Sequence, residues 1–191
     1  MLYVSNKPET CFDFFLGIVF SLSCGIFPVH AVSVGIAAIR EGKPIFTDVR
    51  MVAVGINYHL TQEFGCSVHC ALDEPGMMKQ AQEEGVTRSA GAIRWLGRKL
   101  DGAIVVIGNA PTALLALLDL IDSGDVRPAL VVGMPVGFVQ AEESKAELTK
   151  RDVPYITVEG TRGGSAMAIA TVNALLKLAQ DKKKWKCDKS S

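Results

Sequence analysis

Residues 103 to 114, AIVVIGNAPTAL, restrict the architecture more than any other stretch of the chain. An apolar run stops at Gly108 and Asn109, and a helical pattern begins at Pro111. This reads as a buried parallel strand, a tight turn and a helix start, because proline is tolerated at the first helical position and its fixed φ suits it. Such a junction points backbone N–H groups at whatever sits above the sheet. Anions bind readily there, through those donors and the positive end of the helix dipole.

The rest of the chain repeats the form. A helix is expected from about Val29 to Glu41, ended by Gly42, then a strand at IFTDV (45 to 49). Residues 51 to 64 read as helical with Gly65 as a stop, SVHCAL (67 to 72) as a strand, and 76 to 84 as a helix ending at Gly85. A helix from Ser89 to Leu100 leads into the strand 103 to 107 and the helix 111 to 122. ALVVG (129 to 133) is a continuous apolar run, as expected for a strand covered on both faces. A charged helix (140 to 151), the strand PYITVE (154 to 159) and a helix (165 to 180) complete the series.

Five strands alternating with helices predict a parallel sheet covered on both sides, a three-layer α/β/α sandwich. Ligands of such sheets bind beyond the carboxyl ends of the strands, where the turns singled out below fall. The last helix, SAMAIATVNALLKLA, is apolar nearly all round, which demands deep burial or a subunit interface. The basic tail, 182 to 191, reads as a solvated end.

A length of 191 residues suits one domain with a sizeable core. Lys+Arg and Asp+Glu are both 20, so there is no global field favouring nucleic acid, and anion recognition must be local. The five cysteines (Cys11, Cys24, Cys66, Cys70, Cys187) form no paired framework, which suggests reduced thiols in a cytoplasmic setting. Cys66, His69 and Cys70 lie close enough for a metal cluster, but a structural zinc site needs a fourth ligand. The alternative, preferred here with no metal, is a strand with small apolar thiols in the core. Residues 14 to 39 lack Asp, Glu, Lys and Arg, which raises a membrane span or a signal sequence. Ser21, Ser23, Cys24, Gly25, Pro28 and His30 interrupt the run, and the reading adopted is soluble: irregular or extended to Phe27, then the first helix.

Three turns share a small or glycine-rich backbone before a helix start: Gly108 to Thr112, Pro135 to Val139, and Thr161 to Ser165. Any one alone is an ordinary βα turn. Together they gather Arg88 and Ser89 at one helix start, Ser144 and Lys145 after another turn, and Arg162 before a double glycine. Arginine binds carboxylates bidentately, so this rim suits a ligand with several carboxylates. Arg94, Arg98 and Lys99 read as a solvated helix face. No G-x-G-x-x-G follows a strand, and neither a Walker A lysine pattern nor a G-x-S-x-G elbow is present.

Five co-linear segments, TDVRMVAVGI (47 to 56), TRSAGAI (87 to 93), IGNAPTAL (107 to 114), VVGMPVGFVQAEESK (131 to 145) and RGGSAMAIATVNAL (162 to 175), together resemble the precorrin-8X (cobalt-precorrin-8) methylmutase family. The resemblance covers roughly residues 29 to 180. It implies a flavodoxin-like fold, a domain from 29 to 181, and a homodimer that builds its site between subunits. It further implies an isomerase of cobalamin biosynthesis that moves a methyl group between neighbouring carbons of a precorrin-type tetrapyrrole, giving hydrogenobyrinate or cobyrinate. The shift calls for no external methyl donor and no cofactor. Carried over on the family's pattern are Thr87, Arg88 and Ser89, then Asn109, Pro111 and Thr112. Val136, Gly137 and Phe138 would shape the pocket, and Ser144, Lys145, Arg162, Gly163, Gly164 and Ser165 would complete its polar wall.

The first 28 residues diverge from the family. Its general acid is a histidine shortly before an Asp-Phe pair, and the counterpart here, Glu9-Thr10-Cys11-Phe12-Asp13-Phe14, contains none. Imidazole titrates near neutral pH, so His30, His59 and His69 are the remaining acids of that kind. His30 starts the first helix, away from the family's catalytic position, while His59 and His69 read as a helix-surface and a strand residue. A non-catalytic tetrapyrrole binder and a generic phosphate or nucleotide binder are the rival readings.

Overall fold

The computed structural model describes residues 25–26, 28, 30–73 and 76–180. The tail from 182 to 191 and the segment Glu9 to Phe14 lie outside them. In chain order the strands are β1 (Gly25–Ile26), β2 (Ile45–Thr47), β3 (Val68–Cys70), β4 (Ile104–Ile107), β5 (Leu130–Gly133) and β6 (Tyr155–Val158). The helices are α1 (Ala31–Arg40), α2 (Arg50–Gly55), α3 (Tyr58–Phe64), α4 (Met77–Glu83), α5 (Arg88–Leu96), α6 (Pro111–Asp122), α7 (Ala141–Leu148) and α8 (Ser165–Gln180).

The sheet order is β1-β6-β5-β4-β2-β3. β2 to β6 are parallel, as expected, and β1 adds an antiparallel edge strand through Gly25 opposite Val158 and Ile26 opposite Thr157. Without β1 the order is the flavodoxin-like one, in which the chain reverses direction across the sheet between β2 and β4.

Alternate residues of each strand serve the two faces. Ile104 and Val106 of β4, with Leu130, Val132, Ile156 and Val158, meet α1, α2, α3 and α8 in one apolar cluster. Val105 and Ile107, with Val131 and Tyr155, meet α4, α5, α6 and α7 in the other. Every residue of β4, β5 and β6 is buried. α8 is embedded as its composition demands: Ala168, Val172, Leu175 and Leu176 are buried, and Arg40 at the end of α1 donates to the Ala179 carbonyl at 3.1 Å.

Three expected elements differ in form, the first being the strand at 67 to 72, which spans only Val68–Cys70 and gives way to a 3₁₀ turn over Ala71–Asp73. Residues 51 to 64 are two helices, because Ile56 and Asn57 leave helical φ/ψ and the Asn57 side chain caps α3 by accepting from Leu60 N at 3.1 Å. The helix from residue 89 starts one residue earlier, capped by Thr87, and after Leu96 continues as a 3₁₀ turn through Leu100. Among the described residues no helix is long and apolar enough to cross a membrane. Cys66 and Cys70 are buried free thiols, and His69 at the sheet edge stacks on Phe46 and bonds Ser67 Oγ at 3.0 Å. Among the described residues no group of His, Cys, Asp and Glu side chains is arranged to hold a metal ion.

Candidate active site

The turn after β4 differs in one respect from the expected anion-binding junction. Asp48, directly after β2, is 1% exposed and fills that junction with its own carboxylate. Its Oδ1 accepts from Gly108 N at 2.9 Å, and its Oδ2 accepts from Asn109 N at 2.8 Å and Ala110 N at 2.9 Å. Burial pushes the Asp48 pKa above its ordinary value, and the three backbone donors pull it back. The amides expected to meet a ligand are therefore spent within the protein. Sequence reasoning missed Asp48, although an acid directly after a buried strand had to find partners.

The turns nevertheless converge. A β-carbon built on Gly108 would lie 2.7 Å from Val52 Cγ2 and 3.0 Å from Ser165 Cα, so the first turn touches the start of α8. The other two turns are joined by Gly164 N donating to the Met134 carbonyl at 2.7 Å and Gly137 N to the Thr161 carbonyl at 3.3 Å. From the neighbouring helix, Thr87 caps α5 by accepting from Ala90 N at 3.3 Å, and its hydroxyl also lies 2.8 Å from that of Thr112 in the first turn of α6. Thr87 and Thr112, far apart in sequence, thus share one hydrogen bond at the carboxyl edge.

Of the other expected residues, Pro111 is the first residue of α6, Asn109 is exposed and Arg88 is exposed at the first position of α5, with Ser89 half-buried behind it. Val136 and Phe138 project from the turn after β5, Phe138 at 95% exposure, and Gln140 at the start of α7 takes a left-handed φ of 60°. Ser144 does not belong to a polar wall: it is fully buried, and its hydroxyl donates to the Ala141 carbonyl at 3.1 Å, one turn back in its own helix. Lys145 is 2% exposed and donates to the Arg162 carbonyl, tying α7 to the turn after β6. Burial lowers the Lys145 pKa, and Glu142 partly offsets this.

Beside these residues opens a cleft of about 600 Å³, lined among others by Glu142, Lys145, Thr157, Glu159, Thr161 and Arg162. It mixes both signs of charge. His30 precedes α1, exposed, with its ring capping nothing. His59 is exposed on α3. Among the described residues no hydrogen bond links an imidazole to the turns after β4, β5 or β6.

Comparison with known proteins gives this geometry its family. The family model described as precorrin-8X methylmutase matches residues 22–178. A precorrin-8X methylmutase of Pseudomonas aeruginosa is 48% identical over 151 residues, which span 78% of this chain and 72% of that protein. A cobalt-precorrin-8 methylmutase of Priestia megaterium is 44% identical over 154 residues, 81% of this chain and 68% of that one. The crystal structure of a precorrin-8X methylmutase from Thermus thermophilus superposes with a TM-score of 0.79 at 36% identity, covering 93% of this chain and 91% of the other. The chain belongs to the precorrin-8X methylmutase family, isomerases of cobalamin biosynthesis.

Proposed function

We propose that this chain binds a precorrin-type tetrapyrrole at the carboxyl edge of its sheet and moves a methyl group between neighbouring macrocycle carbons. The observation that carries the reading is the Thr87–Thr112 hydrogen bond, which joins two family segments into one surface with Arg88. The joined turns after β5 and β6, with Lys145 and Arg162, extend it. Because Asp48 occupies the backbone donors of the first turn, the substrate's carboxylates fall to side chains, with Arg88 and Arg162 as the bidentate partners. The same occupation argues against a phosphate or nucleotide seated on that turn.

The reaction is intramolecular, so the protein's task is positioning and charge stabilisation, with no methyl donor or cofactor to hold. We assign the working form to a cytoplasmic homodimer. In support, α2 and α3 expose the large apolar side chains of Met51, Val54 and Tyr58. Incubation with cobalt-precorrin-8 or precorrin-8X, followed by visible spectroscopy, tests the function. Turnover to the corrin chromophore is expected, with affinity reduced at least tenfold in Arg88→Ala and Arg162→Ala. A fixed stoichiometric shift without turnover would identify a binder instead of an isomerase, and unchanged affinity in both variants would remove the two arginines from the site.

A further inference from the structure

We infer that Asp48 is the resident anion of this fold's ligand junction and a positioning residue for the methylmutase site. In flavodoxin-like sheets the ligand sits where the strand order reverses, between the first and third parallel strands, and its charge meets the amides of the turn there. Here those strands are β2 and β4. Asp48 leaves the end of β2, its own N–H donating to the Val106 carbonyl at 3.1 Å, and spans the reversal to close on three successive amides of the β4 turn. A carboxylate presents about four acceptor positions, and three converge here on one short loop.

Two consequences follow from that geometry. The amides of Gly108, Asn109 and Ala110 are satisfied without a ligand, so the site stands formed before substrate arrives. The turn also cannot drift, because its N–H groups are held from β2 while Val52 and Ser165 crowd Gly108 from α2 and α8. Asn109, Pro111 and Thr112 leave this clamped loop directly, and Thr112 is the residue that meets Thr87. Asp48 thus acts on substrate through the loop, without touching it.

The test removes the carboxylate and returns it as a small molecule. Asp48→Ala deletes a volume close to that of formate and leaves the three amides unpaired. Formate is expected to raise the melting temperature of Asp48→Ala saturably, by about 5 °C, against chloride at matched ionic strength, and to leave wild type unmoved. If the variant folds only in formate, that dependence is the same result. Asp48→Asn fills the space but opposes an NH₂ to a backbone N–H, so it should be destabilised and unresponsive to formate. A formate response no larger in Asp48→Ala than in wild type or Asp48→Asn would overturn the resident-anion assignment.

The positioning role rests on the proposed function and has a separate readout. Cobalt-precorrin-8 affinity of Asp48→Ala should fall about tenfold without formate and recover as formate is raised. Rescue of stability without rescue of affinity would overturn the positioning role. If wild type itself fails to bind the tetrapyrrole, the functional proposal fails, while the formate response still decides the anion assignment.

Discussion

Gly163 has no room for a β-carbon. Its φ is 152°, and a Cβ would come within 2.5 Å of the Met134 carbonyl oxygen and 2.6 Å of that of Pro135. Those contacts are the ones that let Gly164 N reach Met134 and hold two site turns together. Gly163→Ala should therefore cost about 1–3 kcal/mol from backbone strain alone, measured by urea denaturation, and should loosen Lys145 from its partner carbonyl. Arg151 makes a different prediction. It grips Asp122 through Nε at 3.2 Å and Nη2 at 2.9 Å and so holds that carboxyl below its ordinary value of 3.8, while Glu147 is held below 4.5 first by Lys150 and then by Arg151. Groups with depressed folded pKa values stabilise above the unfolded value and lose that contribution as pH falls through the folded one. The Tm difference between wild type and Arg151→Met should accordingly be largest near neutrality and shrink as pH drops below about 4.5. Asp122 is exposed and Glu147 half-exposed, and Lys150 still holds Glu147 in the variant, so the difference itself should be small. The residues that escaped a reading of the sequence belong to this scale. Asp48 was legible as an acid at a strand end, but not which amides it would meet, since its partners lie some sixty residues away. Ser144 shows the converse, a hydroxyl whose helical neighbour claims it before any ligand can.

At the scale of elements, Thr87 is both the cap of α5 and the contact of α5 with α6. Thr87→Ala should cost about 1 kcal/mol as a lost cap. Thr87→Ser should keep most of that stability, because it retains the hydroxyl. A double-mutant cycle with Thr112→Val isolates the hydroxyl pair, and a coupling of about 0.5–1.5 kcal/mol is expected. Element identities were largely readable from apolar periodicity, with α6 and α8 matching in both bounds. The fused helix at 51 to 64 was misread because apolar spacing continues across the break. The interruption depends on Asn57, whose backbone N–H donates to Asn173 Oδ1 at 2.8 Å, a contact local sequence does not announce. Asparagine before a helical run was the available signal.

For the whole molecule, the sheet stands between two apolar clusters that share its strands, so neither half can unfold while leaving the other intact. Leu117 on one side and Leu176 on the other are both fully buried. Truncating either to alanine should cost about 2–5 kcal/mol and shift one cooperative transition, seen identically by far-UV circular dichroism and tryptophan fluorescence. The parallel five-strand core was legible because continuous apolar strands require cover on both faces. β1 was not, since a two-residue strand carries too little pattern. Those two residues cover the outer side of β6 at Thr157 and Val158. β6 would otherwise present a row of unpaired N–H and C=O groups along its outer side, a template on which another chain could polymerise. The opposite margin protects itself by brevity, as β3 is three residues long and bears the imidazole of His69. Shielding of the outer side of β6 at Thr157 and Val158 therefore falls to Gly25 and Ile26, at the very start of the stretch that the family model matches.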